Sequence, residues 1–176
     1  MVFNVGRTAR YVRVQLTGTN VLSLAEVEVW GGAGSASSSV KNDDINSALL
    51  ISSSSSWQDE VDTAQAFTSG DDPTFTCGKF TSGQGAHSVW YRFTPDRSGK
   101  WNLSTEGSSY DTVLAVWGGQ RGQLSLNSCN DDINYPDNVK SALDVNVSAG
   151  QTYYVEVIGW GTYSSGNLKL ASTFTP

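Results

Sequence analysis

The chain has 176 residues, a mass of 18.8 kDa, a formal charge of -6 and a pI near 4.6. Only 16% of its residues are charged and it holds one histidine, against six tryptophans and seven tyrosines. The scarcity of Lys and Arg excludes a protein that wraps nucleic-acid phosphates. No stretch approaches the ~18 apolar residues of a membrane-spanning helix, and one imidazole leaves little material for a His-rich zinc site. An acidic, aromatic-rich binding or structural module is the expectation, rather than an enzyme.

Residues 1–30 contain two runs of period two, the signature of half-buried strands. Tyr11–Leu16 sets Val12, Val14 and Leu16 against Tyr11, Arg13 and Gln15. Leu24–Trp30 sets Ala25, Val27 and Val29 against Glu26, Glu28 and Trp30. Two strands alone are marginal in water, so this hairpin needs a partner surface. The composition changes at 31–40, GGAGSASSSV, a flexible Gly/Ser linker.

Strand signals then recur to the end of the chain. Ala48–Ile51 is short and apolar, and Ser52–Ser56 reads as loop. Ser88–Phe93 alternates Val89, Tyr91 and Phe93 with Ser88, Trp90 and Arg92. Lys100–Ser104 carries Trp101 and Leu103. Thr112–Trp117 is nearly continuous apolar, which predicts a central strand buried on both faces. Leu143, Val145 and Val147 alternate with polar residues, as do Tyr153, Val155 and Val157. Leu168 and Leu170 close the series. Turn residues separate these runs, and no amphipathic helix of three turns is present. Many short strands at this spacing predict an all-β protein, an antiparallel β-sandwich with the hairpin as an N-terminal appendage.

Cys77 and Cys129 lie far apart, and no CxxC pair exists. One disulfide closing a loop of about 50 residues is expected, worth ~3–4 kcal/mol on the loop-entropy model. Two unrelated buried thiols are the alternative. The secreted-like composition favours the disulfide and a secreted or cell-surface location.

Residues 8–31, TARYVRVQLTGTNVLSLAEVEVWG, resemble the last two strands of a discoidin-type (coagulation-factor C-like) domain. The resemblance implies that residues 1–30 are the remnant of such a domain and that the chain begins inside it. No ligand residues carry over, because that family's ligand loops precede these strands. Residues 41–176 resemble the bacterial pre-peptidase C-terminal-type domain. The resembling elements are NDDINSA (42–48), SVWYRF (88–93), SGKWNLST (98–104), YDTVLAVW (110–117), CNDD (129–132) and TYYVEVIG (152–159). This implies a jelly-roll-like sandwich appended to secreted bacterial enzymes or surface proteins. Relatives bind calcium, collagen or polysaccharide.

Oxygen ligands concentrate in Asn42-Asp43-Asp44, at Asp111 and in Asn130-Asp131-Asp132. Calcium takes 6–8 oxygens from carboxylates, amides, carbonyls and water. If the clusters converge, their charges repel unless a cation neutralises them. A structural Ca²⁺ site is one reading. Solvated Asx-turns are the other, since Asn-Asp clusters favour such turns.

Trp90 and Tyr91 sit mid-strand and read as core, with Trp101 and Trp117 partly so. Trp160 and Tyr163 lie in the glycine-rich connection IGWGTYSSG. Their rings either stack on sugar faces or plug the sandwich end. Trp57 and Tyr135, also in loop-like segments, would extend such a platform. His87, at a strand start, reads as structural, and no nucleophile elbow, zincin or phosphate-loop motif is present.

The acidity is local. Residues 1–40 carry three Arg against two Glu, whereas residues 41–176 carry eight Lys and Arg against fifteen Asp and Glu. The expected function is non-catalytic extracellular carbohydrate binding with structural calcium. The alternative is adhesion or self-assembly, with residues 8–30 adding to their own or a neighbouring sandwich as a homo-oligomer.

Overall fold

In the computed structural model the chain divides into two units, Met1–Ser37 and Ser38–Pro176. The structure describes residues 40–53, 55–78 and 85–176. The discoidin-like strands, the linker up to residue 39 and the proposed pairing of residues 8–30 lie outside the described residues.

The second unit is an all-β sandwich. Its strands are β1 (Leu49–Leu50), β2 (Ser56–Asp62), β3 (Ala86–Phe93), β4 (Gly99–Ser104), β5 (Thr112–Gln120), β6 (Gln123–Asn130), β7 (Ala142–Val147), β8 (Tyr153–Gly159) and β9 (Asn167–Thr175). One sheet runs β1-β3-β8-β5-β6 and the other β2-β9-β4-β7. For the eight strands from β2 to β9 this is the jelly-roll order, two interleaved Greek keys. Every pairing is antiparallel except β1 on β3, where Leu49 and Leu50 register in parallel with Tyr91 and Arg92. That strand departs from the antiparallel expectation. It is the return end of the entering segment, held by the Ile51 N–H on the Arg92 carbonyl at 2.8 Å.

Two strands appear where the sequence pattern is faint. β2 reads SWQDEVD, with only Trp57 and Val61 apolar, because it is an edge strand with one solvated face. Trp57 is therefore not a loop residue. Its half-buried ring packs edge-on against Tyr91, centroids 5.6 Å apart. β6 reads QLSLNSCN and is also an edge, its leucines alternating with Ser and Asn.

The inner core lies between the sheets. Val89, Tyr91, Phe93, Leu114, Val116, Val155 and Val157 come from one sheet, with Trp101, Leu103, Val145, Leu168, Leu170 and Phe174 from the other. Phe93 stacks 4.5 Å from Trp101, whose indole N–H donates to Ser172 Oγ at 2.7 Å. A second cluster covers the opposite face of the five-stranded sheet. Trp90, Val113, Ala115, Trp117 and Ile158 project outward and are covered by Ile45 and Phe75 from the segments before β1 and β3. Burial on two faces explains why Thr112–Trp117 is an unbroken apolar run. His87 adopts φ +58° at a bulge in β3, and its Nδ1–H donates to the Ala66 carbonyl at 2.9 Å, a structural role.

Cys77 and Cys129 are joined, Cα atoms 5.8 Å apart across a sequence separation of 52. The bridge clips the covering segment to the edge strand β6. Reducing it, or replacing Cys77 and Cys129 by Ser, is expected to lower stability by ~3–4 kcal/mol. Denaturant melts with and without reductant measure this.

Glu156 departs from its polar-face expectation. It registers between Trp90 and Ala115 and is fully buried, and neither carboxylate oxygen has a partner within hydrogen-bond distance among the described residues. Burial pushes its carboxyl well above the usual range, and the charge of Asp72 adds to the shift. An acid whose folded pKa is raised stabilises the fold at low pH. That contribution is lost as pH rises through the folded value. The melting temperature should fall as pH rises above the ordinary carboxylate range, and Glu156→Gln should flatten that fall in melts taken between acid and alkaline pH.

Candidate functional site

Asp111 precedes β5, while Asp131 and Asp132 follow β6, its hairpin partner. The hairpin returns the chain, so both segments meet at one end of the five-stranded sheet. Ligand oxygens of Asp111, Asp131 and Asp132 lie within 4.8 Å of one another. One oxygen of each is buried and lacks a hydrogen-bond partner among the described residues, although all three residues are only part-buried overall. Buried polar atoms are nearly always partnered, so three such atoms together mark a place built for something else.

The electrostatics follow from this crowding. Asp111 is pushed up to about 6, chiefly by burial, then by the charge of Asp132, with Lys140 opposing. Asp131 is pushed up to about 6 by burial, then by Asp132 and Asp111. Like charges at short range disfavour ionisation unless a cation neutralises them.

A hydroxyl network that no sequence motif announces fixes these loops from behind. Ser141 Oγ donates to the Asp131 carbonyl at 2.7 Å, and the Ser141 N–H donates to Thr105 Oγ1 at 2.8 Å. Thr105 and Thr112 share a hydroxyl contact of 2.6 Å. All three residues are fully buried and tie the two sheets together beneath the acids. Single Ser and Thr residues in strand-flanking positions carry no distinguishing pattern. Only their convergence shows the role.

Asn130 shapes the loop. Its Nδ2 donates to the Asp132 carbonyl at 3.1 Å and its Oδ1 accepts from the Ala142 N–H at 3.0 Å. The first triplet does not join the acidic group. Asn42 is buried, and its Nδ2 donates to the Trp90 carbonyl at 3.1 Å. Asp43 accepts from the Phe67 N–H. Asp44 caps the 3-10 turn Ile45–Ser47 and pairs with Arg121, beyond the far end of β5. The structure thus brings Asp111, Asp131 and Asp132 together and places Asn42, Asp43 and Asp44 apart from them. The entering segment crosses the outer face of the sheet and delivers Asp44 to the opposite end.

Two aromatic-bearing loops flank the acids. Trp160 N–H and Ser164 Oγ both donate to the Asp111 carbonyl, at 3.0 and 3.1 Å. This anchors the 160–164 loop to the acid-bearing segment. Tyr163 is 93% exposed and Trp160 39%. The loop closes tightly on Gly159, where a Cβ would meet the Ser164 carbonyl oxygen at 1.8 Å, so only glycine fits. Tyr135, 75% exposed, lies in the loop that follows Asp132. Trp57, in contrast, packs against Tyr91 of the core.

Fold and site define an all-β jelly-roll sandwich with three crowded carboxylates at one end, flanked by loops that expose aromatic rings. No protein-family model matches the chain, and none of the curated proteins does. Among solved structures, the chain is similar to the pre-peptidase C-terminal domain of collagenase from Bacillus anthracis, determined at 1.0 Å. Sequence identity is 9% and the TM-score 0.38, with 73% of this chain and 94% of that chain covered.

Asp111 and Asp131 keep their protons to higher pH in the fold than in the unfolded chain. In chelator, their contribution to stability should be present near pH 4 and lost as pH rises through about 6. Thermal melts of the native chain against the Asp111→Asn, Asp131→Asn double variant isolate it: the variant should lose less stability across that window.

Proposed function

We propose that this chain is a non-catalytic extracellular accessory module that binds carbohydrate beside a structural Ca²⁺. The observation that carries the reading is the gathering of Asp111, Asp131 and Asp132, a ligand oxygen of each within 4.8 Å of the others, each residue also holding a buried oxygen with no hydrogen bond among the described residues. A hard divalent cation prefers such an all-oxygen set, and its charge would relieve their repulsion. Carboxylates and water would complete the coordination, because the backbone carbonyls of Asp111, Asp131 and Asp132 are already engaged.

The carbohydrate part rests on position. Tyr135, Trp160 and Tyr163 are exposed on loops attached to the acid-bearing segments. Exposed rings offer apolar faces for sugar C–H groups while loop amides and carboxylates meet hydroxyls. A cation that orders both loops would preorganise these rings and reduce the entropy lost on binding. The disulfide suits an oxidising compartment, which supports a secreted or cell-surface location.

Millimolar Ca²⁺ should raise the melting temperature at pH 7, by about 2–4 °C per kcal/mol of binding linkage. Asp131→Ala should abolish the rise. Trp160→Ala should retain the rise but lose retention on polysaccharide columns. Equal melting in calcium and in chelator removes the cation, and equal retention by Trp160→Ala removes the platform.

A further inference from the structure

The five-stranded sheet carries a second polar feature at its other end. Asp111 adjoins the first residue of β5 and Gln120 is its last. At ~3.3 Å per residue they lie roughly 30 Å apart. At Gln120 a groove of about 600 Å³ opens. Arg92 of β3 and Tyr154 of β8, register partners, line it together. Residues 45–48 and the β5–β6 hairpin residues Gln120 and Arg121 complete the lining.

The two guanidinium groups of the groove differ. Arg121 is held by two carboxylates: Nε and Nη2 donate to Asp71 at 2.8 and 3.0 Å, and Nη1 to Asp44 at 2.7 and 2.9 Å. These pairs tie the hairpin to the covering segments, so the groove is braced before a ligand arrives. They also direct both carboxylates onto Arg121. Arg92 is exposed, and its side chain makes no ion pair or hydrogen bond with the described residues.

A free guanidinium is a planar fork of donors matched to a carboxylate. The other lining residues include Asn46, Ser47, Gln120 and the half-buried Tyr154, beside the apolar Ile45 and Ala48. Hydroxyl and amide partners beside one aromatic face fit a sugar ring. The unpaired cation selects an acidic one.

We propose that this groove binds a uronate residue of an acidic polysaccharide. Its carboxylate sits on Arg92, its ring against Tyr154, and its hydroxyls meet Asn46, Ser47 and Gln120. The site is distinct from the acidic end in position and needs no divalent cation.

The test is titration calorimetry of the full chain with oligogalacturonate in chelator. The native chain should bind, and Arg92→Gln should bind about tenfold or more weakly at an unchanged melting temperature. Arg92→Lys should fall between them, since an ammonium keeps the charge but loses the fork. The neutral oligogalactoside should bind about tenfold or more weakly than the uronate. The proposal is overturned by no binding in chelator, equal affinity in Arg92→Gln, equal affinity for the neutral sugar, or loss of binding in Asp131→Ala. Equal Arg92-dependent affinity for a sulfated oligosaccharide would also overturn the uronate assignment, revealing a general anion site. The chelator separates this outcome from that of the calcium reading.

Discussion

Burial of β3, β8 and β5 on both faces is the constraint on which the rest of the structure depends. A jelly-roll sheet need bury only the side that faces its partner. Here Trp90, Trp117 and Ile158 project outward from the sheet and are as buried as the inner core. Large apolar side chains on an outer face must be covered, and the segments ahead of β1 and β3 supply Ile45 and Phe75 for that purpose. The disulfide and the Arg121 ion pairs then hold the cover down. Removing the cover would expose two tryptophans and a buried carboxylic acid at once.

The same constraint sends polar chemistry to the ends of the sheet. With both faces dry, charged groups collect where strands stop and backbone turns. Asp111, Asp131 and Asp132 meet at one end because β5 and β6 form a hairpin. Asp44, Asp71 and Arg121 meet at the other because the hairpin turn rests against the cover. The two ends differ in kind. One holds carboxylates whose charges repel each other, with Asp111 and Asp131 raised chiefly by burial. The other balances its carboxylates on Arg121 and leaves Arg92 without an ion pair among the described residues. Glu156 is the exception, an acid kept inside the dry layer, and its raised pKa records the cost of that position.

The strands that were legible in the sequence are those with an apolar face or an apolar run. β3, β4, β5, β7, β8 and β9 all announce themselves by alternation or continuity. β2 and β6 do not, because edge strands pack on one side and tolerate Ser, Asn, Gln and Asp on the other. Trp57 was consequently expected in a loop, although it anchors β2 to Tyr91. The two Asn-Asp-Asp triplets look equivalent in sequence. One caps a turn, pins β3 and pairs with Arg121, while the other supplies two of three crowded carboxylates. Local composition does not distinguish these roles, since each depends on what lies across the sheet.

The sequence by itself determined the all-β class, the double-faced burial of Thr112–Trp117 and the acidity of residues 41–176. These are properties of composition and period, which need only neighbours along the chain. The tertiary structure alone decided which acids converge, that Glu156 is buried and that Arg121 is paired while Arg92 has no ion pair among the described residues. Each of these depends on residues distant in sequence, brought together by strand order and by the segments that cover the outer face.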